Sequence, residues 1–99
     1  MYNITYEEII NNDDGRLRIQ WVNDLPFIHL QLYNWTPSAF KKYKVIWSKL
    51  LKDLGSKGVP CVFVMIPDDD EKLYHFEQMF GFEEAEHGQG YFLMVKDTE

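Results

Sequence analysis

Apolar and polar positions alternate with a period of two through the N-terminal third of the chain. Residues 2–10 are rich in β-branched and aromatic side chains, and Leu17, Ile19 and Trp21 then alternate with Arg16, Arg18 and Gln20. Between them, Asn11-Asn12-Asp13-Asp14-Gly15 collects the residue types that close a turn, because Asn and Asp bond their own backbone and Gly accepts positive φ. Asn23-Asp24-Leu25-Pro26 predicts a second turn, after which Ile28, Leu30 and Leu32 alternate with Phe27, His29, Gln31 and Tyr33. The expected unit is a three-stranded antiparallel meander with one face buried.

The period then lengthens to that of a helix. Phe40, Tyr43, Trp47, Leu50, Leu51 and Leu54 recur at three-and-four spacing, which predicts a helix over residues 37–54. Thr36 is placed to cap it, with Pro37 at the first helical position, and Gly55 and Gly58 supply the stop. Val59 to Ile66 has no polar alternation, the pattern of a strand covered on both faces. The preceding helix is long enough to serve as a crossover, so this strand should lie parallel to residues 27–33. Asp68-Asp69-Asp70-Glu71 opens a shorter helix whose buried stripe is Leu73, Phe76 and Phe80, with Gly81 as its left-handed stop. The tail from Phe82 to Lys96 holds one or two strands, broken near residues 86–90 and ending in the apolar run Tyr91 to Val95. The fold class expected is α+β: an antiparallel meander, a parallel β-α-β crossover, a helix and a C-terminal antiparallel strand in one mixed sheet, with residues 1–99 as a single domain.

Composition narrows the functional classes. With 45% apolar and 16% aromatic residues, the chain can bury enough surface to be globular, not disordered. No run approaches the roughly 20 apolar residues of a membrane span, the N-terminus lacks a signal-peptide pattern, and one cysteine fits a reducing compartment. A cytoplasmic location is expected. The net charge of −6 is unevenly spread: residues 36–58 hold six lysines against one aspartate, and residues 59–99 hold two lysines against ten acids. An acidic body argues against nucleic-acid binding. The basic island, with Lys41, Lys42, Lys49 and Lys52 off the apolar stripe, suits a small anion or an acidic protein partner. No metal site is expected: Asp68, Asp69 and Asp70 lack calcium-loop spacing, and His75 and His87 have no ligand spacing with Cys61. Cys61, inside the apolar strand, reads as an inert core thiol.

The order of helix, apolar strand, helix, Gly-Phe and strand, sharpest at Phe76 through Phe82, resembles the C-terminal half of the GNAT acyltransferase fold. The likeness covers residues 16–95 and implies a reduced version, without the N-terminal helices of full-length members. In size and pattern it is similar to the small GNAT-like proteins encoded by tailed phages. The resemblance implies acetyl-CoA as cofactor, with its pyrophosphate at the turn into the long helix, where Ser38, Ala39, Lys41 and Lys42 are the candidates. That turn has no glycine, and Pro37 removes one N–H donor. The family's frequent general acid, a tyrosine four residues before the Gly-Phe glycine, falls on Glu77, which has no proton to give at neutral pH unless strongly desolvated. Tyr74 is the nearest substitute, and His29, on the strand that borders the family's cleft with Tyr33 on the same face, has a suitable pKa. Two functions stay open: a GNAT-fold protein of phage origin with a degenerate acyl-CoA site that binds a host or bacterial protein through the lysine face, and a minimal N-acetyltransferase acting on an amine.

Overall fold

The computed structural model describes residues 2–99. Three antiparallel strands come first, β1 (Ile4–Asn11), β2 (Gly15–Val22) and β3 (Leu25–Leu32), followed by α1 (Pro37–Ser56), β4 (Cys61–Pro67), α2 (Glu71–Met79), β5 (Glu83–Gly88) and β6 (Tyr91–Asp97). All six strands form one sheet in the order β1-β2-β3-β4-β6-β5. β3 and β4 are its parallel pair and every other neighbour is antiparallel, as the crossover argument requires.

Several boundaries differ from the sequence expectation for identifiable reasons. The second turn is only Asn23-Asp24, and Leu25 and Pro26 already pair with Val22 and Trp21. Asn23 supplies the positive φ of 56° that so tight a turn needs. The long helix runs through Gly55 to Ser56. Gly55 is not the stop; a side chain there would collide with the backbone of Glu99, which packs against the helix end. Gly58, at φ 86°, reverses the chain, and the Val59 N–H then bonds the Leu54 carbonyl. The shorter helix ends the same way, with Gly81 at φ 93° and the Phe82 N–H on the Glu77 carbonyl.

Both helices contribute to one core on one face of the sheet. Leu17 and Ile19 from β2, Ile28 and Leu32 from β3, Val62, Val64 and Ile66 from β4 and Met94 from β6 join Tyr43, Trp47, Leu50, Leu51, Leu54, Phe76, Phe80 and Phe82 in a single buried cluster. The opposite face is open. β4 was expected to be covered on both sides, but its burial alternates: Val62, Val64 and Ile66 are buried, whereas Cys61 and Phe63 are only partly covered and Met65 is 53% exposed. Cys61 is therefore not a core thiol, although burial still raises its pKa, ahead of a smaller effect of Asp97, and keeps the thiol protonated.

Candidate functional site

β3 and β4 pair through one ladder position, Phe27 against Phe63, whose rings lie 5.5 Å apart. Beyond that pair the strands splay, and the facing backbone edges of residues 28–31 and 64–66 are not paired with each other. The splay holds a cleft of about 310 Å³. Leu30, Val64 and Leu73 supply apolar wall, Arg16, Arg18 and His29 border it from the open face, and Glu77 reaches it from α2. A second cleft of about 370 Å³ adjoins it through Leu30, Gln31 and Leu73 and continues between the starts of the two helices, past Trp35, Lys72 and Phe76.

Glu77 is the anomaly of this site. It is 4% exposed, the one charged residue among the buried side chains described. Its position explains the burial: Leu73, Glu77 and Phe80 follow the i, i+4, i+7 spacing of the inward stripe of α2, whose cap is the Asp70 carboxylate accepting the Leu73 N–H at 3.0 Å. Desolvation disfavours the charged form, and the Glu77 pKa rises from 4.5 to about 7. Glu77 is thus divided between acid and carboxylate near neutrality, the condition under which a carboxyl group can take up or release a proton.

The other predicted residues are dispersed. His29 is on the cleft, its Nε2 hydrogen-bonded to Gln20 Oε1 at 2.7 Å. Burial and then the Arg18 charge lower its pKa, so the ring is neutral at pH 7. Tyr33 lies beyond the end of β3, exposed, with its N–H on the Asp14 carbonyl. Tyr74 is turned away from the splay: its hydroxyl donates to Glu84 Oε1 at 3.0 Å and its ring packs edge-on against Phe92. The bond to Glu84, with some burial, raises the Tyr74 pKa.

At the start of α1, Thr36 Oγ1 accepts the Ala39 N–H at 3.1 Å and the Thr36 carbonyl accepts the Phe40 N–H. Pro37 has none to offer, which leaves the Ser38 N–H of the first turn. Lys41 and Lys42 are exposed, and Lys42 sits 4.0 Å from Asp14. None of Ser38, Ala39, Lys41 and Lys42 lines either cleft of the splay.

Comparison with solved structures places this geometry. The crystal structure of the ribosomal-protein-S18-alanine N-acetyltransferase from Escherichia coli superposes with a TM-score of 0.62 at 13% identity, covering 97% of this chain and 70% of that one. The fold is a reduced GNAT fold. A GNAT-family acetyltransferase from Listeria monocytogenes 4b F2365 matches with a TM-score of 0.60 at 16% identity, over 85% of this chain and 57% of that one. The structure of SsHAT matches at 0.62 and 18% identity, over 76% of this chain and 37% of that one. The chain thus spans about a third to somewhat over half the length of the last two. Its sequence matches no protein-family model and no curated protein, so the likeness is one of fold.

The candidate that sequence reasoning passed over is Glu77 itself. Its signal was present, since a glutamate inside an otherwise apolar helical stripe marks a carboxylate that folding will bury.

Proposed function

We propose that the β3–β4 splay is an acyl-transfer site, and that the chain works as a minimal N-acetyltransferase moving an acetyl group from a thioester donor to an amine. The observation that carries the reading is the buried Glu77 carboxyl facing the cleft where two parallel strands part. Acetyl-CoA supplies the activated acetyl group when bound. Its extended amide arm suits the splay, because the unpaired edges of β3 and β4 hold backbone donors and acceptors in a strand-like row. Its diphosphate finds less: one free N–H on Ser38 in the first turn of α1, with Lys41 and Lys42 nearby in sequence.

Glu77 then acts on the acceptor. An ammonium must lose a proton before its nitrogen can attack the thioester carbonyl, and the ionised Glu77 carboxylate receives it; as the C–N bond forms the C–S bond breaks, and the departing thiolate takes up the second proton, shed by the acylated nitrogen. Arg18 and neutral His29, on the opposite rim, orient an acceptor that carries anionic or hydrogen-bonding groups. Calorimetric titration with acetyl-CoA tests the reading: saturable heat that CoA competes away is expected, and no heat at millimolar ligand would overturn it. The sparse diphosphate grip leads to a second expected result. Reversing both lysines, Lys41→Glu with Lys42→Glu, should weaken acetyl-CoA binding by roughly tenfold while leaving the circular dichroism unchanged, because both side chains are exposed.

A second reading keeps the fold but not the chemistry: a phage-encoded factor that binds an acidic host protein through α1. It is favoured by the outward row of Lys41, Lys49 and Lys52, which have no acidic partner among the described residues. Loss of capture from host extract on Lys49→Glu with Lys52→Glu, combined with absence of acetyl-CoA binding, would favour it over acyl transfer.

A further inference from the structure

One indole stands outside the core. Trp35 is 68% exposed, although tryptophan is on average among the most buried residues. It is nonetheless held in place: its ring meets Phe76 edge-to-face at 5.0 Å, and Phe76, itself buried, packs on Phe80 at the same distance. The backbone on either side is fixed as well. Before it, the N–H groups of Tyr33 and Asn34 both bond the Asp14 carbonyl; after it, Thr36 caps α1 and Pro37 opens the helix. The indole is a flat apolar surface ordered before any ligand arrives. It lines the second cleft, of about 370 Å³, together with Lys72 and Asp70 at the start of α2. That cleft shares Leu30, Gln31 and Leu73 with the splay, so the two form one groove, with Glu77 only on the splay side and Trp35 only on the other. Lys72 is exposed and has no acidic partner among the described residues. Asp70 is engaged in capping, its Oδ1 accepting the Leu73 N–H at 3.0 Å.

A groove with a carboxyl group at one end and an open indole beside an unpaired cation at the other fits an extended ligand whose far end is a flat base carrying phosphate. We infer that Trp35 stacks on the adenine base of the acyl donor while Lys72 pairs with a phosphate of the same nucleotide. The inference rests on the acyl-transfer reading, which sets the direction of the ligand. The thioester has to reach Glu77, so the amide arm follows the edges of β3 and β4 and the nucleotide emerges at the Trp35 end. Base stacking also compensates for the sparse grip at the start of α1. One free N–H on Ser38 holds a diphosphate weakly, whereas a base on an aromatic ring gains affinity without any glycine-rich turn. Trp35 and Ser38 are three residues apart, so base and diphosphate meet neighbouring parts of one turn. The Asp70 carboxylate repels phosphate, which leaves the Lys72 ammonium and the start of α1 as its places.

Calorimetric titration of the whole chain with two donors tests the assignment: acetyl-CoA, and S-acetylpantetheine, which has the same thioester and amide arm but no nucleotide. Trp35→Ala should weaken acetyl-CoA binding by about tenfold, a difference of about 1.4 kcal/mol and within the range for one base on one aromatic ring, while S-acetylpantetheine binding stays within about twofold. Trp35→Phe keeps an aromatic face and should hold acetyl-CoA to within about threefold of the wild type. Lys72→Glu should weaken acetyl-CoA by about tenfold and spare S-acetylpantetheine. Both positions are exposed, and circular dichroism confirms that the variants fold. Wild-type indole emission should be quenched by acetyl-CoA, with much of that quenching lost in Trp35→Phe. Equal acetyl-CoA affinity in the wild type and Trp35→Ala overturns the inference and leaves the acyl-transfer reading standing. So does a Trp35→Ala variant that loses S-acetylpantetheine as strongly as acetyl-CoA, since the indole would then be a wall for the arm. A wild type that binds no acetyl-CoA overturns both.

Discussion

Glu77→Gln is expected to slow the proposed acyl transfer by orders of magnitude and, at the same time, to remove most of the pH dependence of stability between about pH 4.5 and 7. The two effects have one physical origin. In the unfolded chain Glu77 titrates at its ordinary value near 4.5, and in the folded chain at about 7. The folded state therefore holds its proton over a window in which the unfolded state has lost it, and stability falls as pH rises through that window. Below pH 4.5 both states are protonated and the group contributes no penalty; above 7 both are ionised and the full cost of burying a carboxylate is felt. A displacement from 4.5 to about 7 corresponds to about 3 kcal/mol, a large part of the stability of a small domain. Urea denaturation at pH 5 and pH 8 should show that loss in the wild type and little of it in the variant. A wild-type midpoint no lower at pH 8 than at pH 5 would mean that Glu77 is not desolvated as described.

For catalysis the sign runs the other way. The useful form of Glu77 as proton acceptor is the carboxylate, so kcat/KM should rise with pH and level off above about 7. Removing the carboxylate should lower kcat by roughly 10²–10⁴-fold. In the proposed acyl transfer the reactive form of Glu77 is thus the one that destabilises the fold, a cost that binding sites commonly impose on the folds that hold them. Activity retained in the variant would move the proton transfer elsewhere, with His29 as the nearest titratable group on the cleft.

The elements that local rules govern were legible in the sequence. The period of α1, the capping of its start by Thr36 and the glycine endings at Gly58 and Gly81 each depend on a few neighbouring residues. The parallel pairing of β3 with β4 followed from chain geometry, since a helix between two strands leaves few alternatives. What failed to appear depended on which surfaces meet. The apolar run of β4 reads the same whether a helix, a second copy or nothing covers its outer face. The spacing of Glu77 from Leu73 puts it on the inward stripe of α2, but its place on the cleft depended on how that stripe meets the edge of the splay. Ser38 and Ala39 were candidates to hold a pyrophosphate at the start of α1, but the Thr36 side chain takes the N–H of Ala39 and its carbonyl that of Phe40. A cap that makes the helix start well-formed removes donors that an anion would use.

Trp47→Ala is expected to be the most damaging single truncation in the core. The indole is 4% exposed in the middle of α1, with Phe80 and Phe82 at ring distances of 6.3 and 5.5 Å. Its Nε1–H donates to the Phe80 carbonyl at 2.9 Å, one of the last carbonyls of α2, which the helix itself cannot satisfy. One side chain thus fills the core between the helices and closes the end of the second. Removing it leaves a cavity and an unpaired buried carbonyl, for a loss of about 3–5 kcal/mol. Such a loss approaches the whole stability of a domain this size, so the variant should be largely unfolded at 37 °C and show its transition at lower temperature. Trp47→Phe separates the two contributions: it keeps most of the ring and loses the donor, and should cost about 1–2 kcal/mol. Equal midpoints for wild type and Trp47→Ala in urea would place the indole outside the core. The Gly81 turn, which presents the Phe80 carbonyl to α1 and fixes the end of the helix that holds Glu77, would then be anchored by some other contact.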